Sequence, residues 1–374
     1  MLLKTRFSLY LKILLTGAAL VLLGSIFLFS SSSIYGISRT GNPAYYFIKH
    51  LVWLLLGLLG ILLINRKDAQ FFEKYSFYVF LFSLILLPLP KFLGDLRWIR
   101  LGPLSFQPSE LVKFTFILYM ASYFKRKQSV MKNFSTLIVP LGFFLLITGI
   151  LQIQKDIGTF FIVFFTFLLM VFLAGAKIKH ILIIMLLGLI LIGGLVIMFP
   201  YRIQRVKTFF NPSSDTQGSG YQTIQSLIAI GSGGITGKGL GSGERKLKFL
   251  PEAHKDYIYA VVGEEMGFLG TSFILVLFIF LVFSCFAISN ITSDTYLKFL
   301  SAGIGGLFGF QFLLHAYVVL KIVPAKGTTL PFFSVGGSSL LINLLTLGLL
   351  LNIARKVCTE ENREKPDIPY LSIH

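Results

Sequence analysis

The sequence is a succession of long apolar runs, and this pattern constrains the fold more than any other feature. Charged residues make up only 13% of the 374 residues and hydrophobic residues 55%, whereas a soluble globular protein averages about 25% charged residues. A soluble fold with so little charge could not keep its surface wetted. The chain therefore uses lipid as its solvent for most of its length.

The apolar runs predict an all-α polytopic membrane protein of about ten transmembrane helices, because a spanning helix needs about 20 largely apolar residues. The alternatives are about nine or eleven spans. The first run follows three basic residues, as in a signal peptide, but its length and the many later runs favour a retained helix. The predicted spans are 11–30, 46–64, 75–92, 109–124, 135–152, 157–174, 178–199, 257–288, 299–320 and 332–354.

The distribution of basic residues predicts that both termini are cytoplasmic, because Lys and Arg are enriched in short cytoplasmic loops. A long extracytoplasmic loop, about 200–256, lies between helices 7 and 8, and a polar cytoplasmic tail covers about 355–374. The long loop carries eight basic residues against this rule, which indicates that something outside the membrane requires positive charge. Residues 1–374 are predicted to form a single membrane domain.

The formal net charge of +18 would suggest a nucleic-acid partner in a soluble protein. Here the basic residues lie in loops between apolar runs, so the sequence predicts contact with anionic membrane lipids and no nucleic acid. The two cysteines, Cys285 and Cys358, predict neither a disulfide nor a metal site.

Three polar loops on the presumed outer face hold the candidate site. The first runs from Arg97 to Glu110 and is followed by Lys113. Pro108 and Glu110 predict the start of a helix, whose N-terminus favours anions. An ionisable pair at a membrane edge is expensive and suggests a function; the alternative is an interfacial turn in which Glu110 and Lys113 simply pair.

The second polar region is the long loop, whose glycines would let backbone amides approach an anion. It contains Gln225 and Lys238, but Lys238 is followed by Gly239, so the loop does not form a Walker A motif. A flexible loop is the alternative. The loop ends at Asp256, where a partly desolvated carboxylate suits a general base and the alternative is a helix N-cap. Glu264, about two turns further on, is predicted to face the same cavity.

The third loop runs from Lys326 through Gly327 and Pro331 to Gly336, Gly337, Ser338 and Ser339. Its free amides could meet an anion at the start of a helix, or its small residues could only pack helices closely. Asp156 begins another span and is either a cap or a cavity residue.

These loops resemble the signature of the SEDS family (shape, elongation, division, sporulation) of peptidoglycan glycosyltransferases, and the resemblance covers nearly the whole chain. The matching motifs are Arg97-Trp98-Ile99 through Gln107-Pro108-Ser109-Glu110 and Lys113, then Leu250-Pro251-Glu252-Ala253-His254-Lys255-Asp256, then Gly336-Gly337-Ser338-Ser339. Lys255 stands where the family usually has Thr, and Val335 where it usually has Tyr. The first departure alters the charge beside Asp256, and the second puts in doubt any role of an aromatic ring there.

The resemblance implies polymerisation of lipid II, a disaccharide-pentapeptide on undecaprenyl diphosphate, with Asp256 deprotonating the acceptor sugar 4-hydroxyl. The implied candidates for holding the diphosphate are Arg97, Lys113, Lys238 and Lys326, and those for shaping the substrate cavity are Glu110, Asp156, Gln225 and Glu264. Ser338 and Ser339 are further candidates for substrate binding. No metal ligand is predicted and no cofactor is required, although a divalent cation, Mg²⁺ or Mn²⁺, could bridge diphosphate and carboxylate.

Ala253 and Lys326-Gly327 resemble the division branch of the family more than its elongation branch. That branch implies a class B penicillin-binding transpeptidase and other divisome proteins as partners, and a place in the bacterial cytoplasmic (inner) membrane at the division septum. Three alternatives stay open. The first is a lipid II flippase or transporter, the second a scaffold without catalysis, and the third an elongation glycosyltransferase. Clustering of the motifs on one face favours an enzyme, since transport expects charges along a path through the midplane.

Overall fold

Helices account for nearly all regular structure in this computed structural model. The structure describes residues 2–102, 104–215, 218–245, 250, 252–324 and 327–364. In chain order the helices and strands are α1 (Leu2–Thr40), α2 (Tyr45–Asn65), α3 (Ala69–Leu86), α4 (Leu89–Phe92), β1 (Ile99–Leu101), β2 (Leu104–Phe106), α5 (Pro108–Lys127), α6 (Ser135–Ile153), α7 (Ile157–Leu173), α8 (Ile178–Met198), α9 (Pro200–Phe210), α10 (Ser219–Ser232), α11 (Ile258–Ile291), α12 (Thr295–Val319) and α13 (Gly337–Glu364).

The predicted class, an all-α polytopic membrane protein, is confirmed. Within the described ranges eight helices are long and apolar enough to cross a membrane: α1, α2, α3 with α4, α6, α8, α11, α12 and α13. The other two predicted spans correspond to α7, an apolar helix of 17 residues, and α5, which carries charged residues at both ends. The count of ten spans therefore stays a prediction.

Two predicted irregular regions contain helices. Within the long loop, α9 and α10 are regular, because their apolar residues recur at helical spacing and can cover the bundle on one side. The last helix also continues through the first part of the predicted tail, to Glu364. Residues 365–374 lie outside the described part of the chain.

The centre of the bundle is built from α5, α12 and α13, whereas α8 lies at its edge. Nearly every residue of α5 from Pro108 to Phe124 is buried. The packing of α13 against α2 depends on small residues: a Cβ atom at Gly57 would lie 2.3 Å from Leu344, and one at Gly348 would lie 2.9 Å from Ile61. Small residues let helix backbones approach closely in lipid, and this approach brings the start of α13 beside α2.

A short antiparallel hairpin precedes α5, where the sequence suggested an irregular loop. Ile99 pairs with Phe106, and Gly102 supplies the left-handed backbone of the turn with a φ of 62°. The Asp95 carboxylate accepts hydrogen bonds from the backbone amides of Arg97 and Trp98. The amide of Arg97 contributes most to lowering the pKa of Asp95, with Trp98 and Arg100 adding to it. The hairpin therefore delivers Arg97 and the start of α5 in a fixed geometry.

The apolar helix α11 is broken at Gly267, which has a φ of 64° and a ψ of −159°. A neighbouring segment, residues 234–239, satisfies the backbone groups that the break releases. Its amides at Lys238 and Gly239 donate to the carbonyls of Glu264 and Glu265, and the amides of Phe268 and Leu269 donate to carbonyls of the segment. A broken helix in a membrane protein persists where neighbouring groups satisfy its backbone in this way.

Gly267→Ala is expected to destabilise the protein. A Cβ atom there would lie 2.4 Å from the backbone nitrogen of Gly237 and 2.5 Å from the carbonyl oxygen of Ile235, and the backbone conformation is one that residues with a Cβ rarely adopt. The strain alone is worth about 1–3 kcal/mol. Thermal unfolding of the purified protein in detergent should show a lower Tm.

The matched control is Gly142→Ala in α6, where an added Cβ atom meets nothing within 4 Å. Alanine is favoured over glycine inside a helix by roughly 0.5–1 kcal/mol, so this variant should unfold at or above the wild-type Tm. Equal Tm values for the two variants would contradict the structural role of the break.

Candidate active site

The three polar loops of the sequence meet at one cavity of about 610 Å³. Its walls come from five separate stretches of chain: the facing ends of α1 and α2, the segment 97–113, the start of α7, the segment 252–256 and the segment 327–337. A volume in the range of about 300–1,000 Å³ is typical of ligand pockets. Predicted residues from distant parts of the sequence are thereby brought together.

The cavity is rich in charge of both signs. Six cationic side chains line it: Arg39, Lys49, Arg97, Arg100, Lys113 and Lys255. Four carboxylates join them: Glu110, Asp156, Glu252 and Asp256. An excess of cations in a concave, partly dry site favours an anionic ligand, because the low dielectric strengthens each attraction.

The carboxylate of Asp256 lies just before α11 and is half-buried. Desolvation, followed by the charge of Glu252, raises its pKa to about 7, although the cations Lys255 and Arg97 oppose the shift. A Cβ atom at Gly327 would lie 3.0 Å from its Oδ2 atom, so the 327–337 segment forms the wall facing it. Within the described part of the chain, the side chain of Asp256 makes no hydrogen bond and is free to accept a substrate proton.

Glu110 and Lys113 form an ion pair of 3.0 Å on the first turns of α5, with side chains only 5% and 3% exposed. Both line the cavity. The simple pairing that the sequence left open is therefore present, and it lies inside the candidate site. A buried pair of this kind is not strong evidence for stability, because desolving both charges offsets most of their attraction.

Asp156 is both a helix cap and a cavity residue, the two alternatives that the sequence left open. Its Oδ1 atom accepts from the amide of Thr159 at 3.2 Å, which caps α7. Its Oδ2 atom accepts from the Thr159 hydroxyl at 2.9 Å and from the Gln107 amide group at 3.2 Å. Asp156 therefore ties the start of α7 to the residue that precedes α5.

Arg97 is anchored to the chain before Asp156. Its Nε atom donates to the carbonyl of Gln154 at 2.9 Å, and its Nη2 atom donates to the carbonyl of Lys155. The guanidinium is fixed by neutral carbonyl groups and keeps its full positive charge for the cavity. Arg97, Asp156 and the start of α5 thus form one connected wall.

Ser338 and Ser339 lie behind the cavity lining that Gly336 and Gly337 supply. The Ser338 hydroxyl accepts from the Gln107 backbone amide at 3.1 Å, and the Ser339 hydroxyl lies 3.2 Å from that of Thr329. Both serines hold the loops of the site together. Lys326, a fourth predicted cation, lies outside the described residues.

Three other predicted residues form a separate cluster. Glu264 is fully buried and accepts from Lys238 at 3.1 Å and from the amides of Glu244 and Arg245. The Arg245 guanidinium donates to Gln225 at 3.1 Å. Among the described residues, the side chains that line the Asp256 cavity do not include Glu264, Lys238 or Gln225. The helical angle between Asp256 and Glu264 suggested a shared cavity, but Gly263 and Glu264 instead pack against the segment 230–245.

Sequence reasoning missed Arg39 and Lys49 as cavity residues. The Lys49 Nζ atom donates to the Tyr45 hydroxyl at 2.7 Å, and both side chains line the cavity. The signal was present for Lys49, since it lies inside the predicted span 46–64, where an ionisable residue is expensive and marks a functional site. The position of Arg39, at the end of α1, gave no such signal.

Together the lining can hold an anion and remove a proton from a hydroxyl group placed near Asp256. Within the residues that the structure describes, no three His, Cys, Asp or Glu side chains are grouped as metal ligands. The divalent cation of the sequence analysis stays a prediction.

Known proteins from one family match this chain over most of its length. A family model described as "Cell cycle protein", covering FtsW, RodA and SpoVE, matches residues 10–359. The probable peptidoglycan glycosyltransferase FtsW of Coxiella burnetii is 38% identical over 355 residues, which cover 91% of this chain and 95% of the relative. The protein of the same description from Escherichia coli O6:H1 is 38% identical over 343 residues, covering 89% and 83%.

Solved structures share the fold. A chain from work described as "Structural coordination of polymerization and crosslinking by a peptidoglycan synthase complex" superimposes with a TM-score of 0.76 at 28% identity, covering 92% of this chain and 97% of that chain. The rod shape determining protein RodA of Thermus thermophilus gives a TM-score of 0.65 at 27% identity, covering 92% and 96%. By its motifs, its fold and these matches, the chain belongs to the FtsW/RodA/SpoVE family.

Proposed function

We propose that this protein is a peptidoglycan glycosyltransferase that polymerises lipid II, with Asp256 as the general base. The observation that carries the proposal is the placement of a desolvated, unbonded carboxylate in a cavity lined by six cations. Relatives that match at 38% identity over most of the chain are described as probable peptidoglycan glycosyltransferases. Their description supports the same chemistry here.

The substrate follows from the charge and position of the cavity. A lipid-linked sugar diphosphate presents an anion beside a sugar, and Arg97, Lys113, Lys49 and Arg39 offer cations to its phosphate oxygens. The polyprenyl chain can stay in the membrane between the apolar helices. The sugar hydroxyl of a second molecule then lies against Asp256.

The reaction needs one proton transfer and one displacement. Asp256 takes the proton of the acceptor 4-hydroxyl while that oxygen attacks the anomeric carbon of the donor. The bond between that carbon and the diphosphate oxygen breaks, and the diphosphate leaves with its negative charge held by the cations. A base with a pKa of about 7 suits this task, because a large share of it is deprotonated at neutral pH while it is still basic enough to take the proton.

The relatives also support a role in division. Proteins described as FtsW match more closely in sequence than the RodA structure does, so we place the activity at the septum in the inner membrane, with both termini cytoplasmic. A structural neighbour belongs to a complex that coordinates polymerisation with crosslinking. On this basis a class B penicillin-binding transpeptidase is the partner, with other divisome proteins around it.

Asp256→Asn is expected to lower kcat for glycan polymerisation by roughly 10²–10⁴-fold, the usual contribution of a general base. The amide keeps the size of the side chain but cannot act as the base. The measurement is polymer formation from labelled lipid II in liposomes, with the partner transpeptidase present and lacking any polymerase of its own.

The control is Asp68→Asn, because Asp68 caps α3 beyond the end of α2 opposite to the cavity residues Tyr45 and Lys49, and asparagine caps helices equally well. It should polymerise at the wild-type rate. Equal rates for Asp256→Asn and wild type would remove Asp256 from catalysis. Transfer of lipid II across liposomes without any polymer from the wild type would favour the transporter instead.

The pH dependence should report Asp256 directly. The base is active only when deprotonated, so kcat/KM should rise with pH through about 7 and level off above it, following the pKa of Asp256. Glu252→Gln removes a negative charge that raises this pKa, which should move the rising limb to lower pH. Lys255→Gln removes a positive charge that lowers it, which should move the limb to higher pH.

These opposite shifts are measured as pH–rate profiles of the two variants beside wild type. Each variant serves as the control for the other, because both remove one charge of the same surface ion pair. A limb that stays in place in both variants, or moves the same way in both, would assign the titration to another group.

A further inference from the structure

The peptide units that lead into Asp256 are held by a neighbouring loop, through one serine and the residue after it. The Ser334 hydroxyl donates to the carbonyl oxygen of Lys255 at 2.6 Å. The backbone amide of Val335 donates to the carbonyl oxygen of His254 at 2.9 Å. Two consecutive carbonyl groups before Asp256 are therefore fixed from outside its own segment.

Holding the carbonyl of Lys255 constrains Asp256 itself. That carbonyl and the Asp256 amide belong to one peptide unit, which is planar. Fixing its oxygen therefore fixes the plane from which the Asp256 side chain starts. On the other side, α11 begins two residues later at Ile258. Asp256 is held between a rigid helix and a hydrogen-bonded peptide plane.

Ser334 also shapes the wall that faces the carboxylate. Its hydroxyl accepts from the backbone amide of Leu330 at 2.8 Å, and its own amide donates to the Leu330 carbonyl at 3.1 Å. These two bonds close the turn that follows the segment 327–329. A Cβ atom at Gly327, at the start of that segment, would lie 3.0 Å from the Oδ2 atom of Asp256. One hydroxyl thus joins the backbone beneath the carboxylate to the loop opposite it.

The Ser334 hydroxyl has its donor and one acceptor site in use, and the residue is only 5% exposed. Both partners of the Ser334 hydroxyl are backbone groups. Only a substitution at position 334 itself can therefore remove these hydrogen bonds. Its bonds go to backbone groups of Lys255 and Leu330, and Ser334 is not part of the lining of the cavity. These contacts separate positioning of the base from binding of the substrate.

We propose that Ser334 is a positioning residue for the base Asp256, setting where the carboxylate stands relative to the bound substrate. The inference rests on the proposed glycosyltransferase function. A displacement of about 1 Å at a reacting group can lower a rate by roughly 10²-fold. Loss of the hydroxyl should therefore change catalysis more than binding.

Ser334→Ala is expected to lower kcat by about 10- to 100-fold, with the KM for lipid II staying within about threefold because the cavity cations are unchanged. Ser334→Thr keeps a hydroxyl and should recover most of the lost kcat. The assay uses the full chain with its partner transpeptidase and labelled lipid II. The Tm of each variant is measured in parallel.

The structural control is Ser301→Ala. Ser301 is fully buried, and its hydroxyl donates to carbonyl groups of its own helix, α12, at 2.8 and 3.1 Å. It should keep the wild-type kcat even if its Tm falls as far as that of Ser334→Ala. If the alanine variant at position 334 does not fold, Ser334→Cys tests the same point, since a thiol has nearly the same size and is a weaker donor.

A double-variant cycle with Asp256→Glu separates positioning from a general loss of structure. If Ser334 acts through Asp256, the alanine should lower kcat less in the glutamate background than in the wild type, because that carboxylate is already displaced. Equal losses in both backgrounds, a wild-type kcat for Ser334→Ala, or a change confined to KM would overturn the inference. The proposed function fails separately, if wild type itself makes no polymer.

Discussion

Backbone groups beside lipid have no water to bind, and this constraint governs how the irregular segments of the protein are built. The backbone groups of three irregular segments form hydrogen bonds with a second segment. The break in α11 is bonded to residues 234–239, the segment before Asp256 to residues 334–335, and the residue before α5 to Ser338. In these three places, irregular backbone lies where two segments meet. The cavity is one of these places, which explains why residues far apart in sequence converge there.

The charges of the cavity follow a second rule, that a buried charge needs a partner or a use. Glu110 and Lys113 form an ion pair, and the Asp156 carboxylate accepts hydrogen bonds from the amide and the hydroxyl of Thr159 at the start of α7. Asp256 has no side-chain hydrogen bond to any residue that the structure describes, and desolvation raises its pKa to about 7. Glu110 and Asp156 therefore stabilise the cavity wall, whereas Asp256 is the carboxylate that can exchange a proton.

The sequence predicted the fold class, the family and the polar loop that ends at Asp256, because apolar runs and contiguous motifs can be recognised within short stretches of chain. It also predicted Arg97, Glu110, Lys113 and Asp156 as site residues; all four line the cavity, and their roles stay predictions. It misplaced Glu264, since an angle on an ideal helix says nothing about a neighbouring loop that packs between two residues. The hairpin before α5 and the break at Gly267 depend on contacts with distant residues and left no periodic signal.

The position of the cavity walls along the chain has a consequence for synthesis of the protein. The last walls to emerge from the ribosome are residues 327–337, which lead directly into α13, and that helix packs along α2 near the beginning of the chain. A chain that has inserted every earlier helix still lacks the cavity wall that faces Asp256. A copy truncated before residue 327 would lack the wall opposite Asp256 and is expected to be inactive.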